Sequence, residues 1–269
     1  MTLIIGTRCT DGIILAADRR ELRGYEPAER CKVRKIEYDV LLPKDESSKG
    51  FGPRALHCRD KYAKVSVLLA GAGVAAFWDE VAWGVSPNYF YGTCKTTESV
   101  HDVKIRTLSD IIDMISLTSI NLSGRYQRGS LDEPLGCVVA GLDQLNTGKA
   151  SLWYFAGAGF SKADFICLGS GDANALPMAD LLLRGRGLTT EQAVHIMPLI
   201  FMLVERVNIS VAGGPDVFIV KDGEQPHQVE SDQIKQAKVK ANNLLKILPE
   251  RFLAVIKDQS LCTRSKKTA

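Results

Sequence analysis

The stretch that decides the fold is Thr2-Leu3-Ile4-Ile5-Gly6-Thr7-Arg8-Cys9-Thr10-Asp11-Gly12-Ile13-Ile14-Leu15-Ala16-Ala17-Asp18-Arg19-Arg20. Two short apolar runs, Leu3 to Cys9 and Ile13 to Ala17, flank the turn signal Thr10-Asp11-Gly12, which predicts an antiparallel hairpin. The second run is apolar on both faces. A strand of that kind has to be covered on both, so the hairpin belongs to an inner layer of a layered fold. It stops abruptly at Asp18-Arg19-Arg20. With the turn centred on Thr10-Asp11, pairing sets Thr2 opposite about Arg19 and leaves Asp18 beside the start of the chain.

Outward from the hairpin, Lys35 to Leu42 and Val65 to Ala70 read as strands, separated by a polar, charged, Gly- and Ser-rich excursion from Pro43 to Lys64. Helices follow from Val74 into Trp83 and from Thr107 to Leu122, where Leu108, Ile111, Ile112, Ile115 and Ile120 keep helical spacing. The second half repeats the alternation. Strands at Gly136 to Leu142, Leu152 to Phe155 and Phe165 to Leu168 precede helices at Ala173 to Leu183 and Thr189 to Val207. Thr189-Thr190-Glu191-Gln192 supplies the start of the latter. A strand at Val217 to Val220, a helix from Ser231 to about Leu253 and a basic tail, Arg264-Ser265-Lys266-Lys267, close the chain. This order predicts an α+β fold of two stacked antiparallel sheets with helices outside each.

The chain has 269 residues, 45% hydrophobic and 24% charged, with 34 basic and 31 acidic side chains and a net charge of +3, so no field of one sign calls for nucleic acid or an anionic membrane. Seven scattered cysteines, an odd number with no C-x-x-C pair, suggest neither a zinc cage nor a disulfide framework. No apolar run approaches the roughly 18–20 residues of a membrane span, and the start lacks the basic flank of a signal peptide. The expected location is cytoplasmic.

Thr2 follows the initiator methionine, and removal of Met1 would leave a free threonine carrying a hydroxyl and an amine on adjacent carbons. The α-amine, with a reference pKa of about 8 against about 10.4 for lysine, is neutral in about a tenth of molecules at pH 7, so it is the better base for activating the hydroxyl. Asp18 brings an acid to the same place. Lys35, at the head of Lys35-Ile36-Glu37-Tyr38, is the cation expected to pair with it and polarise the threonine. Lys32, three positions earlier, is the rival, and Arg20 is placed to steady the network.

These residues together resemble the β subunits of the proteasome, within the N-terminal nucleophile hydrolases. The matching pieces are Thr2, Gly12 to Arg20, Lys35-Ile36, Leu69-Ala70-Gly71-Ala72-Gly73 before a helix, Leu168-Gly169-Ser170-Gly171, and Val211-Ala212-Gly213-Gly214 before a strand; they span about residues 2 to 220 in the family's order. The resemblance implies a four-layer αββα sandwich over 1–228, with an insertion at 43–64 and a helical extension with a basic tail at 229–269. It implies Thr2 as nucleophile, Asp18 and Lys35 as its charge partners, the Gly71 N–H as oxyanion donor and Ser170 as the hydroxyl on the terminal amine. The implied reaction is hydrolysis of a peptide or amide bond through an acyl-enzyme, with no metal or organic cofactor, on a peptide or protein substrate, by a homo-oligomeric ring or a monomer.

The departures from that pattern are specific. The family's aspartate before the Gly213-Gly214 pair is missing from Arg206-Val207-Asn208-Ile209-Ser210, where only Asn208 or Ser210 can substitute. The length and the lack of a propeptide also differ. Two rival functions follow: a transpeptidase like the connectases, archaeal proteasome relatives with Met-Thr starts that pass the acyl group to a peptide amine, and a non-catalytic ring or scaffold subunit. A phosphate-loop reading of Gly169-Ser170-Gly171 fails, because no G-K-[ST] follows and Asp172 repels a phosphate. His57, His101, His195 and His227 share no metal-ligand spacing, and Trp78, Trp83 and Trp153 are expected in the core.

Overall fold

The computed structural model describes residues 2–23, 26–29, 31–41, 62–73, 75–85, 107–126, 136–143, 148–156 and 159–264. In chain order, β1 (Ile4–Arg8) and β2 (Gly12–Asp18) form the opening hairpin, and β3 (Arg20–Arg23) and β4 (Glu26–Glu29) a second, small one. Strands β5 (Val33–Leu41) and β6 (Tyr62–Ala72) lead into α1 (Ala75–Gly84). Helix α2 (Leu108–Tyr126) precedes β7 (Gly136–Leu142), β8 (Ala150–Ala156), β9 (Phe160–Lys162) and β10 (Phe165–Leu168). Then come α3 (Asp172–Leu182), α4 (Thr190–Val207), β11 (Pro215–Lys221), β12 (His227–Gln228) and α5 (Ser231–Arg264).

Two antiparallel five-stranded sheets result, in the orders β10-β1-β2-β11-β12 and β5-β6-β7-β8-β9. Strand β2 is buried along its whole length, and its alternation explains the layering. Ile14 and Ala16 join a core with Ala179 of α3 and Met197 and Phe201 of α4. Ile13, Leu15 and Ala17 face the opposite way, against Leu68 and Ala70 of β6 and Val138 of β7. The far side of the second sheet packs Val67, Leu69 and Val139 against Phe77 and Val81 of α1 and Ile111 and Ile115 of α2. The architecture is therefore the four-layer αββα sandwich that the sequence pattern predicts. Each fully buried Ile or Leu of β2 contributes about 1.5–3 kcal/mol, which makes this strand the hydrophobic spine.

Local signals place the helix starts. Thr189 caps α4 through a reciprocal box, Gln192 N to Thr189 Oγ1 at 3.2 Å and Thr189 N to Gln192 Oε1 at 3.0 Å, worth about 1 kcal/mol. The hairpin turn reaches the same helix, as Thr190 donates to Asp11 from its N–H at 2.7 Å and its hydroxyl at 2.9 Å. Thr107 and Asp110 cap α2 in the same reciprocal manner.

Several expectations change. The chain does not simply end its strand at Asp18 to Arg20 but turns into the β3–β4 hairpin. Strand β6 begins at Tyr62, so the last residues of the expected Pro43 to Lys64 insertion are sheet, and 43–61 lie outside the described residues. Helix α5 runs to Arg264 rather than Leu253, and most of the basic tail lies outside the described residues. Its first turns belong to the core, with Ala237 fully buried and Ile234 and Ala241 nearly so. Trp78 is buried, but Trp83 is 65% exposed, because it lies on the outer face of α1. Ile120 on α2 is exposed for the same reason.

Candidate active site

Strands β10, β1, β2 and β11 end along one rim of the first sheet. The pairing Ile4↔Ala17, carried on by two residues, sets Leu3 opposite Asp18 and Thr2 opposite Arg19, as the turn at Thr10-Asp11 requires. Ile4↔Leu168 likewise sets Thr2 beside Ser170, and Pro215 pairs with Asp18. The rim thus gathers residues distant in sequence without any side chain having to reach far.

Thr2 is buried, 4% exposed. Its nitrogen donates to Ser170 Oγ at 3.1 Å, and its carbonyl accepts the Gly171 N–H at 3.3 Å. Gly169 makes this approach possible: its φ is +106°, and a Cβ there would stand 2.1 Å from the Thr2 carbonyl oxygen. Behind Ser170, its hydroxyl lies 3.3 Å from Ser210 Oγ. Asn208 Nδ2 donates to the Ser170 carbonyl and to Asn174 Oδ1, both at 3.0 Å. Asn208 Oδ1 accepts the Ser210 N–H at 3.0 Å and the Ser210 hydroxyl.

On the other side, the fully buried Asp18 accepts the Leu3 N–H at 2.7 Å and the Lys32 ammonium at 2.8 Å, both on Oδ1. Burial pushes the Asp18 carboxyl above the usual carboxylate range, with Lys32 and the N–H groups of Leu3 and Arg20 pulling against it. The lysine at this acid is Lys32 and not Lys35, which corrects the sequence expectation. Lys35 is exposed and pairs with Glu37 at 3.0 Å. Lys32 precedes β5, where the chain still lies at the rim; three residues of extended chain carry Lys35 about 10 Å further on.

Arg20 lies at the same rim: its guanidinium donates to the Ile209 carbonyl at 2.6 Å and its N–H to Ala212 O at 3.1 Å. Arg19 grips the buried Asp216 through Nε at 2.9 Å and Nη2 at 2.5 Å. Gly71 lies near the end of β6 with the Trp78 indole on its backbone; a Cβ there would stand 2.1 Å from Trp78 Cγ. Close packing of α1 on β6 alone thus requires glycine at 71. Among the described residues, no group of three or more His, Cys, Asp or Glu side chains is placed to hold a metal ion.

The sequence reading thus names Thr2, Asp18, Ser170, Asn208, Ser210 and Arg20 at one rim, prefers Lys35 where the structure pairs Lys32 with Asp18, misses Asn174, and quotes Gly169 without its role under Thr2. Asn174 carries no signal, since an asparagine in the first turn of a helix is ordinary. Gly169 has one, since a glycine before a polar residue at a strand end marks a backbone approach.

The full-length architecture matches known structures. It is similar to Anbu (ancestral beta-subunit) from Yersinia bercovieri, with a TM-score of 0.64 and 14% identity over 92% of this chain and 96% of that one. An Anbu (Gly-1) mutant from Hyphomicrobium sp. strain MC1 gives 0.65 and 16% over 94% and 96%. The helical assembly of the Anbu complex from Pseudomonas aeruginosa gives 0.63 and 19% over 93% and 96%. No protein-family model matches the chain, and no curated protein is similar to it in sequence. These findings correct the resemblance to proteasome β subunits proper: the structural likeness is to Anbu proteins, a distinct group, and at this identity what is shared is the fold.

Proposed function

We propose that this chain is a threonine amidohydrolase acting on peptide or amide bonds, with Thr2 as nucleophile once Met1 has been removed. The observation that carries the reading is the meeting of two groups at one buried residue: Ser170 Oγ on the Thr2 nitrogen at 3.1 Å, and the Asp18–Lys32 pair on the next peptide unit. The Thr2 hydroxyl passes its proton to its own α-amine, and Oγ bonds to the scissile carbonyl carbon. The C–N bond then breaks, the leaving amine takes that proton, and water cleaves the ester on Thr2.

In this reading Lys32, held by Asp18, supplies positive charge that favours the neutral amine and the developing alkoxide. The Gly71 N–H is the proposed oxyanion donor, a role whose loss costs about 3 kcal/mol where it has been measured. In this reading residues 1–228 are the catalytic unit and 229–269 an extension whose first turns complete its core. The alternative acceptor is a peptide amine in place of water, which makes the same acyl-enzyme a ligase intermediate. The partner proposed for the assembled protein is a further copy of the chain, as in the helical assembly of the P. aeruginosa Anbu complex. Light scattering tests this: a particle of the chain's own mass, 29.4 kDa, would exclude that assembly.

Intact mass spectrometry before and after a β-lactone or epoxyketone tests the reading, with Thr2→Ala as control. The expected result is loss of Met1 and one adduct that vanishes in the variant. A retained Met1, or a free Thr2 that never reacts, rejects the nucleophile and leaves a non-catalytic scaffold.

A further inference from the structure

The donors and acceptors behind Thr2 have a single consistent order. A backbone N–H can only donate and a carbonyl can only accept, so Ser210 N–H on one end of the Asn208 amide and Ser170 C=O on the other fix its orientation. Asn208 Oδ1 then takes the Ser210 hydroxyl proton. With that proton committed, Ser210 Oγ offers a lone pair at 3.3 Å, so the Ser170 hydroxyl is the donor between the two serines. Ser170 Oγ in turn accepts from the Thr2 N–H, the amide that follows Met1 and that becomes the α-amine once Met1 is removed. The chain of bonds runs one way, from Thr2 N–H through Ser170 and Ser210 to Asn208, and every member of it beyond Thr2 is uncharged. Asn174 Oδ1 holds the second Asn208 hydrogen and locks the order.

We infer that Asn208 is a positioning residue that polarises this hydroxyl chain so that the Thr2 amine engages Ser170 by a hydrogen rather than its lone pair, and that its neutrality keeps the amine from being held as ammonium. The inference rests on the proposed role of Thr2 as nucleophile. A carboxylate at 208 would still accept from Ser210 but would face two acceptors, Ser170 O and Asn174 Oδ1, and would set a negative charge two hydroxyls from the amine. The other charged groups around Thr2 are engaged elsewhere. Asp18 is held by Lys32, Arg19 by Asp216, and Arg20 by the Ile209 carbonyl. Asp172 opens α3 beyond Gly171, Glu205 accepts the Gly214 N–H, and Lys238 lies over Gly214.

The test uses the full chain released from a cleavable N-terminal fusion so that Thr2 is the first residue. The pH dependence of α-amine acylation at Thr2, read by peptide mass spectrometry, gives the amine midpoint in wild type, Asn208→Asp and Ser210→Ala. Asn208→Asp is expected to raise that midpoint by about one pH unit, roughly tenfold less neutral amine at pH 7. It moves the acid limb of the β-lactone capture profile with it. Ser210→Ala keeps the midpoint and slows capture about tenfold, because Ser170 loses its acceptor. An unmoved midpoint in Asn208→Asp overturns the inference. Should that variant not fold, unchanged capture by Ser210→Ala overturns it instead. Wild type that acylates normally but is never captured by the lactone rejects the nucleophile, while the midpoints still decide the role of Asn208.

Discussion

Lys32 Nζ stands 2.8 Å from Asp18 Oδ1, with the carboxylate fully buried and the lysine side chain 10% exposed. A pair this enclosed behaves differently from a surface ion pair. Removing one partner strands the other charge in a low-dielectric place, which costs about 3–5 kcal/mol. Lys32→Met is therefore expected to lower stability by that amount in urea unfolding and to abolish capture of Thr2. Lys35→Ala, which removes a solvent-exposed partner of Glu37, should change stability by no more than about 0.5 kcal/mol and leave capture intact. Equal losses in the two variants would reject the assignment of Lys32.

Asp18 also sets a pH dependence. Its folded value lies above the unfolded one because burial outweighs the attraction of Lys32. Between those two values the folded state holds the extra proton, so the stability from this group grows as pH falls through the folded value and levels off below about 3.9. The unfolding free energy of wild type relative to Asp18→Asn should therefore shift in favour of wild type from pH 7 to pH 4. A shift toward the variant would mean that Lys32, not burial, dominates at this site.

Gly169→Ala tests the cradle under Thr2. The new methyl would meet the Thr2 carbonyl oxygen, a backbone atom that cannot rotate away, at a φ of +106° that disfavours alanine. A loss of about 1–3 kcal/mol from backbone strain is the minimum expected in thermal unfolding. Capture of Thr2 should fall well beyond what that stability loss explains, because the nitrogen is displaced from Ser170.

Three of the described thiols, Cys9, Cys137 and Cys167, are poor competitors for an electrophile. Burial pushes Cys9 and Cys167 each up to about 12 and holds the Cys137 thiol well above its ordinary value. At pH 8, iodoacetamide should leave these three unmodified in the native chain and label all of them in urea. Rapid native alkylation at any one would show that its strand opens locally.

The layers were legible because β2 is apolar at every position from Ile13 to Ala17, and only an enclosed strand tolerates that. The turn at Thr10-Asp11 set the register, and the register brought Thr2 and Asp18 together before any coordinates were needed. The lysine was not legible in the same way. Lys35 opens an apolar run and looks favoured, but proximity to Asp18 depends on where the chain leaves the β3–β4 hairpin. Charged, weakly patterned residues such as Arg20 to Arg23 hide that hairpin from periodicity. Asn208 was visible only as a substitution, since its value lies in four bonds that tie its own turn to the stretch from Ser170 to Asn174.

Strand β2 pairs with β1 at one edge and with Pro215–Lys221 at the other. During synthesis the first twenty residues leave the ribosome with a strand that the folded protein buries along its whole length and no partner for its second edge. At about 5–20 residues per second, roughly ten to forty seconds pass before residue 210 has been made. Until then Thr2 lacks the asparagine that orders its hydroxyl chain and β2 lacks β11, so the order of translation itself delays assembly of the rim. The hairpin is correspondingly the segment that a nascent-chain chaperone should be found holding.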